Sequence, residues 1–227
     1  MMNIHFLELR QRVVYCIFFI ISIFVVLFYY SDIVYDLFSI PIKNQLPQGS
    51  SIIATQVTST FLVPFKLSIN LALILSAPYI IFNIWGFISP GLYNYEKTFI
   101  FPFIFFSILL FLLGLTFSFY VICPLALNFF MTCSPSNVSV MISITNYMEF
   151  MFAIMLASGF SFQIPIVIYF ITRFGIIAKD DLAKKRSYVF IMSFILGMLL
   201  TPPDVISQVL LAIPIWLLFE VGLFFSR

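Results

Sequence analysis

The longest uncharged stretch of this chain runs from Thr98 to Met148, 51 consecutive residues without Asp, Glu, Lys, Arg or His. Irregular backbone exposed to lipid leaves its polar groups unpaired, so a bilayer core of about 30 Å is crossed by helices of roughly 20 residues. The stretch is too long for one such helix, and Pro124 and the polar segment 132–137 divide it. It therefore predicts a membrane helix that ends near Cys123, followed by a loop.

The rest of the chain predicts an all-α, polytopic membrane protein. Soluble domains have about 25% charged residues, whereas this chain has 9% charged and 63% hydrophobic residues. We predict six transmembrane helices, the last two too short to cross a bilayer without distorting it, and one integral-membrane domain over residues 1–227. The predicted spans are approximately 13–31, 67–88, 98–123, 149–172, 188–200 and 205–225.

Lysine and arginine are distributed unevenly around these spans, and positive flanks resist translocation. With the amino terminus inside, nine basic residues are inside, and only Lys43 and Lys66 are outside. We therefore expect both termini in the cytoplasm. The nine are Arg10, Arg12, Lys97, Arg173, Lys179, Lys184, Lys185, Arg186 and Arg227.

Enzymatic and metal-binding motifs that can be recognised from sequence are absent. The sequence has no His-Glu-x-x-His pair, Gly-x-Ser-x-Gly elbow or phosphate-binding glycine loop. Three cysteines, Cys16, Cys123 and Cys133, lack metal-ligand spacing, and we expect them to pack like small apolar residues. A net charge of +2 does not favour nucleic-acid binding. We expect no enzyme activity, metal or cofactor, and the first apolar run should be a retained span.

Charged residues near the amino terminus allow two interpretations. His5, Glu8 and Arg12 fall on one helical face at i, i+3 and i+4 spacing, so Glu8 and Arg12 can pair. This cluster is either a solvated charged turn that anchors the first span, or part of a binding site. In the second case Glu8 and Glu96 would face the cytoplasm and suit a ligand with guanidinium groups.

Two further polar residues also have alternative interpretations. Gln163, which we expect half-way along the fourth span on the face of Gly159, either bonds a neighbouring helix or has a functional role. Asp204 follows two prolines and is favoured as an amino-terminal cap of the sixth helix. Glu149 and Glu220 are expected near span ends, without chemistry.

Five motifs in order resemble the TatC family of the twin-arginine protein translocase. They cover nearly the whole chain and coincide with six predicted spans. The motifs are His5 to Arg10; Ile53 to Thr55 with Phe61 to Lys66; Trp85 to Tyr93 with Glu96; Ser161 to Pro165; and Thr201 to Asp204 with Ser207 and Gln208.

The resemblance implies a receptor subunit that binds twin-arginine signal peptides of folded precursors. With the single-span TatA and TatB and further TatC copies, it would export them across the bacterial inner membrane using the proton-motive force. Glu8 and Glu96 would bind the paired arginines, and Arg10 and Arg12 would shape that patch. The resemblance also implies a partner-helix site at Gln163, Met198, Leu199, Thr201 and Gln208, and sensitive positions at Pro41 and Asp204.

One position departs from the family pattern, since many members have a glutamate where this chain has Gln163. An amide both donates and accepts hydrogen bonds but does not titrate. A secondary transporter or small-solute channel is the main alternative, and an intramembrane protease comes third. The transporter is disfavoured because ionisable residues within the spans are nearly absent.

Overall fold

A computed structural model of the chain describes residues 2–43, 45, 51–54, 58–88, 100–133, 141–200 and 205–226. Two compact units are present, Met1–Phe38 with Gln56–Leu109, and Ser39–Thr55 with Leu110–Arg227. The helices are α1 (Met2–Tyr29), α2 (Ser31–Lys43), α3 (Ser59–Ile88), α4 (Ile100–Phe117), α5 (Cys123–Thr132), α6 (Ile144–Ser161), α7 (Ile164–Arg173), α8 (Lys179–Lys184), α9 (Arg186–Leu200) and α10 (Val205–Phe225).

The first predicted loop is partly helical, because α2 follows α1 after a single turn residue, Tyr30. The amide of Val34 donates to the Tyr30 carbonyl, so α-helical bonding resumes at once. Asp32 lies in the first turn of α2 and Lys43 in its last, where each complements the helix dipole. Residues 32–43 connect the first two predicted spans, and the helix that they form was not predicted.

In the first unit, α1 packs against α3 through aromatic side chains. The rings of Phe19 and Tyr79 lie 4.5 Å apart, and those of Phe24 and Phe65 lie 5.4 Å apart. Near the carboxyl end of α3, Trp85 stacks on Phe103 at 5.5 Å. These contacts align the start of α1 with the end of α3.

The third span continues past Pro124, contrary to our prediction that it ends near Cys123. A π-helical turn at Ser118–Ile122 joins α4 to α5, and the amide of Cys123 donates to the Ser118 carbonyl. In an α-helix, the proline ring would clash with the carbonyl four residues earlier, and no N–H would reach it. The wider turn accommodates the proline, so the helix reaches Thr132.

The fourth span also contains a break that we did not predict. Gln163 is the amino-terminal cap of α7 and Pro165 lies in its first turn, so the proline's missing N–H costs no hydrogen bond there. After α7, Gly175 has a φ of 66°. The Gly175 amide donates to Thr172 and the Ile176 amide to Ile171, which is a Schellman ending.

The last two helices differ in length. The fifth span, α9, has 15 residues and covers about 22 Å, so the prediction of a short helix is confirmed there. The sixth, α10, has 21 apolar-rich residues and is long enough to cross a membrane, so describing it as too short was wrong. Together with four longer spans, these two helices complete the six-helix membrane architecture.

Two short strands supplement the predicted all-α fold. Strand β1 (Ser51–Ile53) pairs in parallel with β2 (Met141–Ser143), and Ser51 lies opposite Met141. Three residues give no periodicity from which a strand can be recognised. The pair joins two segments that lie between membrane helices.

In the second unit, α4 and α6 approach closely at two small residues. The Ser158 hydroxyl donates to the Gly114 carbonyl at 2.9 Å. A Cβ on Gly114 would lie 2.9 Å from the Ser158 carbonyl oxygen and 3.0 Å from the Phe162 ring. Small residues at such contacts let membrane helices pack closely.

We expect Gly114→Ala to destabilise this unit, because the added methyl group meets a backbone carbonyl that cannot rotate away. Overpacking of this kind costs about 1–3 kcal/mol. Thermal unfolding of the detergent-solubilised protein measures the effect, with Leu112→Ala on the exposed face of α4 as the control. Equal unfolding temperatures of Gly114→Ala and the parent protein would contradict the close contact.

Candidate functional site

The predicted pairing of Glu8 with Arg12 is confirmed. Arg12 donates to Glu8 Oε1 from Nη2 at 2.8 Å and from Nε at 3.1 Å. The Arg12 side chain is 28% exposed and the Glu8 side chain is 34% exposed, so the pair is partly shielded but open to a ligand. Neither bond uses the second carboxylate oxygen, Oε2.

A second contact ties Arg12 to the end of α3. Its Nη2 donates to the Gly86 carbonyl at 3.3 Å. In a continuing helix that carbonyl would accept from residue 90, but Pro90 has no N–H to donate. A Cβ on residue 86 would lie 2.7 Å from Arg12 Nη1, so a larger residue would push the guanidinium out of this position.

Beside Arg12 a mainly apolar cavity of about 230 Å³ lies between α1 and α3. Its only polar amide, Asn83, donates to the Tyr79 carbonyl at 2.9 Å and is thereby satisfied. The cavity combines apolar walls with a cation and a neighbouring carboxylate at its end. The lining residues are Leu9, Arg12, Val13, Cys16, Ile17, Ile80, Asn83, Ile84 and Phe87.

In the second unit, Gln208 joins the last two helices. Its Nε2 donates to the Phe194 carbonyl at 2.9 Å, and a Cβ on Gly197 would lie 3.0 Å from the Gln208 carbonyl oxygen. Met198 and Leu199, on α9, are 63% and 72% exposed. Of the predicted partner-helix residues, therefore, Met198 and Leu199 form a surface, whereas Gln208 is engaged inside the hairpin.

Gln163 and Pro41 occupy positions that constrain the backbone. The backbone N–H of Gln163 donates to the Phe160 carbonyl at 3.0 Å, in the turn that separates α6 from α7. That Gln163 shares a face with Gly159 stays a prediction. Pro41 is buried within α2. Arg10 is exposed on α1.

The segment around α8 is held to the end of α10 by charged groups. Arg186 Nε donates to Glu220 Oε1 at 2.9 Å, and Lys179 Nζ donates to the Ser226 carbonyl at 2.7 Å. On the exposed surface, a hydrogen bond to Asp181 raises the pKa of Lys184 above its ordinary value. We had attached no role to Glu220, and the structure gives it an ion pair.

Three predicted site residues, Glu96, Thr201 and Asp204, lie outside the described residues. Their proximity to Glu8 or to the hairpin therefore stays a prediction. The cysteines are free: Cys123 is buried, Cys16 is partly buried, and Cys133 is exposed, so Cys133 does not pack like the small apolar residue that we expected.

The chain matches the family model of the Sec-independent protein translocase protein (TatC) over residues 4–214. The chain belongs to the TatC family. It is 47% identical over 223 residues to TatC of Escherichia coli (strain K12), and the alignment covers 98% of this chain and 86% of the relative. TatC of Haemophilus influenzae (strain ATCC 51907 / DSM 11121 / KW20 / Rd) is 41% identical over 98% of this chain and 87% of its own.

The fold agrees with that assignment. A crystal structure of the twin-arginine translocase receptor TatC superposes with a TM-score of 0.87 at 32% identity, covering 97% of this chain and 96% of the other.

Gly86 is the contact residue that sequence reasoning missed in this TatC-family chain. It lies in the Trp85 to Tyr93 motif, but the motif alone gave it no partner. Pro90, four residues later, was a usable indication, because it leaves the Gly86 carbonyl without its helical donor. A guanidinium from another helix is a natural replacement donor.

We expect Gln208→Leu to lower the stability of the final hairpin by about 0.6 kcal/mol and at most roughly 1.7 kcal/mol, the range of interhelical hydrogen bonds in membranes. Thermal unfolding in detergent measures this loss, and Ile213→Val on the exposed face of α10 is the control. If Gln208→Leu unfolds at the parent temperature, the bond to Phe194 contributes nothing.

Proposed function

We propose that this chain is the receptor subunit of a twin-arginine translocation system in a bacterial inner membrane. It binds the signal peptides of folded precursors and, with TatA, TatB and further copies of itself, exports them using the proton-motive force. Membership of the TatC family supports this proposal, and a similar crystal structure is described as a twin-arginine translocase receptor. Residues 1–227 act as one integral-membrane domain that carries out no covalent chemistry.

The observation on which the binding site rests is the half-exposed carboxylate of Glu8. A carboxylate at the start of a membrane helix attracts cations, and the planar fork of an arginine forms two parallel bonds to it. Glu96 supplies the second carboxylate of the proposed patch, and Arg10 and Arg12 shape it. The apolar cavity beside Arg12 suits the hydrophobic part of a signal peptide.

Replacing both glutamates should abolish most binding, because each ligand arginine would lose its charged acceptor. Photo-crosslinking of a twin-arginine peptide to the complete translocase, with Glu8→Ala and Glu96→Ala combined, measures this, and we expect a loss of at least about tenfold, as for charged hydrogen bonds. Glu149→Ala, at another exposed glutamate, serves as the matched control. Undiminished crosslinking by the double variant would overturn the proposed site.

We further propose that both termini lie in the cytoplasm and that the exposed end of α9 binds a partner helix. The excess of lysine and arginine in loops on one side supports the orientation. Met198 and Leu199 supply the exposed apolar surface, and Thr201 and Gln208 are proposed to belong to the same site. Gln163 contributes a polar contact, whereas Pro41 and Asp204 are positions where substitution impairs export.

A cysteine at position 198 should form a disulfide with a cysteine in the TatA or TatB membrane helix. The variant Met198→Cys is made after Cys16, Cys123 and Cys133 have been changed to alanine, and oxidation is followed by electrophoresis. Phe101→Cys, at a comparably exposed position of α4, is the control and should give little product. Equal crosslinking at both positions would indicate random collision in the membrane and no partner site.

A further inference from the structure

Arg12 already binds the Glu8 carboxylate in the way that a ligand arginine would. We propose that Arg12 is an internal competitor for the carboxylate to which a signal-peptide arginine binds, so that its displacement sets the affinity of the site. This inference rests on the proposed function. It assigns to Arg12 a role opposite to that of a residue that helps the ligand to bind.

The geometry of the pair is the first argument. Nε and Nη2 of Arg12 both donate to Oε1 of Glu8, at 3.1 and 2.8 Å. These are the donors that an incoming guanidinium would use on the same oxygen. A ligand arginine that takes Oε1 must therefore remove Arg12 first.

The contact with Gly86 helps to hold Arg12 on Glu8. Nη2 donates both to Glu8 Oε1 at 2.8 Å and to the Gly86 carbonyl at 3.3 Å, so the acceptor on α3 fixes the same nitrogen that occupies the carboxylate. A substitution that pushes the guanidinium away from Gly86 therefore also weakens its bond to Glu8.

The energetic consequence is a modest reduction of affinity. The apparent affinity equals the intrinsic affinity multiplied by the fraction of molecules in which Arg12 has left Glu8. Half-exposed i, i+4 ion pairs close the site by a factor of roughly two to five. Arg12 therefore lowers the affinity for every cationic ligand by the same factor, and it does not itself distinguish arginine from lysine.

Two substitutions release Arg12 by different means. In Gly86→Ala, the new Cβ would lie 2.7 Å from Nη1, at the flexible end of the arginine, so the guanidinium moves while its charge remains. In Arg12→Met, an unbranched apolar stem is kept, and the guanidinium with its donors is removed. We expect each variant to bind a fluorescent synthetic twin-arginine peptide roughly two- to fivefold more tightly than the parent, the size set by a half-exposed pair.

Binding is measured by anisotropy on the full-length chain in its complex, in nanodiscs. A twin-lysine peptide should gain by the same factor. Lys185→Gln, at an exposed lysine, controls for the loss of one positive charge. In a Glu8→Gln background, Gly86→Ala should have no effect, since the competitor no longer has a carboxylate to occupy.

Weaker or unchanged binding by Gly86→Ala or by Arg12→Met overturns the inference. If Arg12→Met alone binds more tightly, the cause is net charge, which also overturns it. Failure of the proposed function has a different result, because Glu8→Gln would then bind the twin-arginine peptide as well as the parent does. A loss of binding in Glu8→Gln, together with weaker binding by the Arg12 and Gly86 variants, leaves the receptor role intact and rejects the competitor.

Discussion

Hydrocarbon offers no hydrogen-bond partner to a peptide group, and the structure depends on that constraint at each place where a helix is interrupted. Pro124 is accommodated by a π-helical turn, and Pro165 lies in the first turn of α7, where no donor is needed. Each span can therefore contain its proline and still cross the membrane. The Gly86 carbonyl follows the same rule with a side chain as its donor.

Charge scarcity predicts which segments enter the membrane, and for that reason the number of spans and their approximate positions could be obtained from sequence. Their ends could not, because they depend on local chemistry that patterning does not reveal. Asp32 and Lys43 did not indicate a helix between the first two spans, yet each complements the dipole of α2. Pro124 indicated the end of the third span, yet a π-helical turn accommodates it and the helix continues.

The candidate site divides in the same way. The pairing of Glu8 with Arg12 follows from helical spacing alone, since residues four apart share a face. The contact between Arg12 and Gly86 links residues 74 positions apart, and no periodicity relates them. Gln208 was assigned to a partner helix by resemblance, whereas its amide bonds Phe194 within the same hairpin. Local spacing thus predicts the charge pair, and tertiary packing decides how it is held.

The pairing of β1 with β2 has a consequence for the order of biogenesis. Ser51 lies opposite Met141, 90 positions later, so β1 cannot pair with β2 until two further membrane spans have been synthesised. At 5–20 residues per second, that interval lasts roughly 5–20 s. During synthesis, the backbone of β1 therefore stays hydrated over this interval. It pairs with β2 only when synthesis has reached the start of the fourth span.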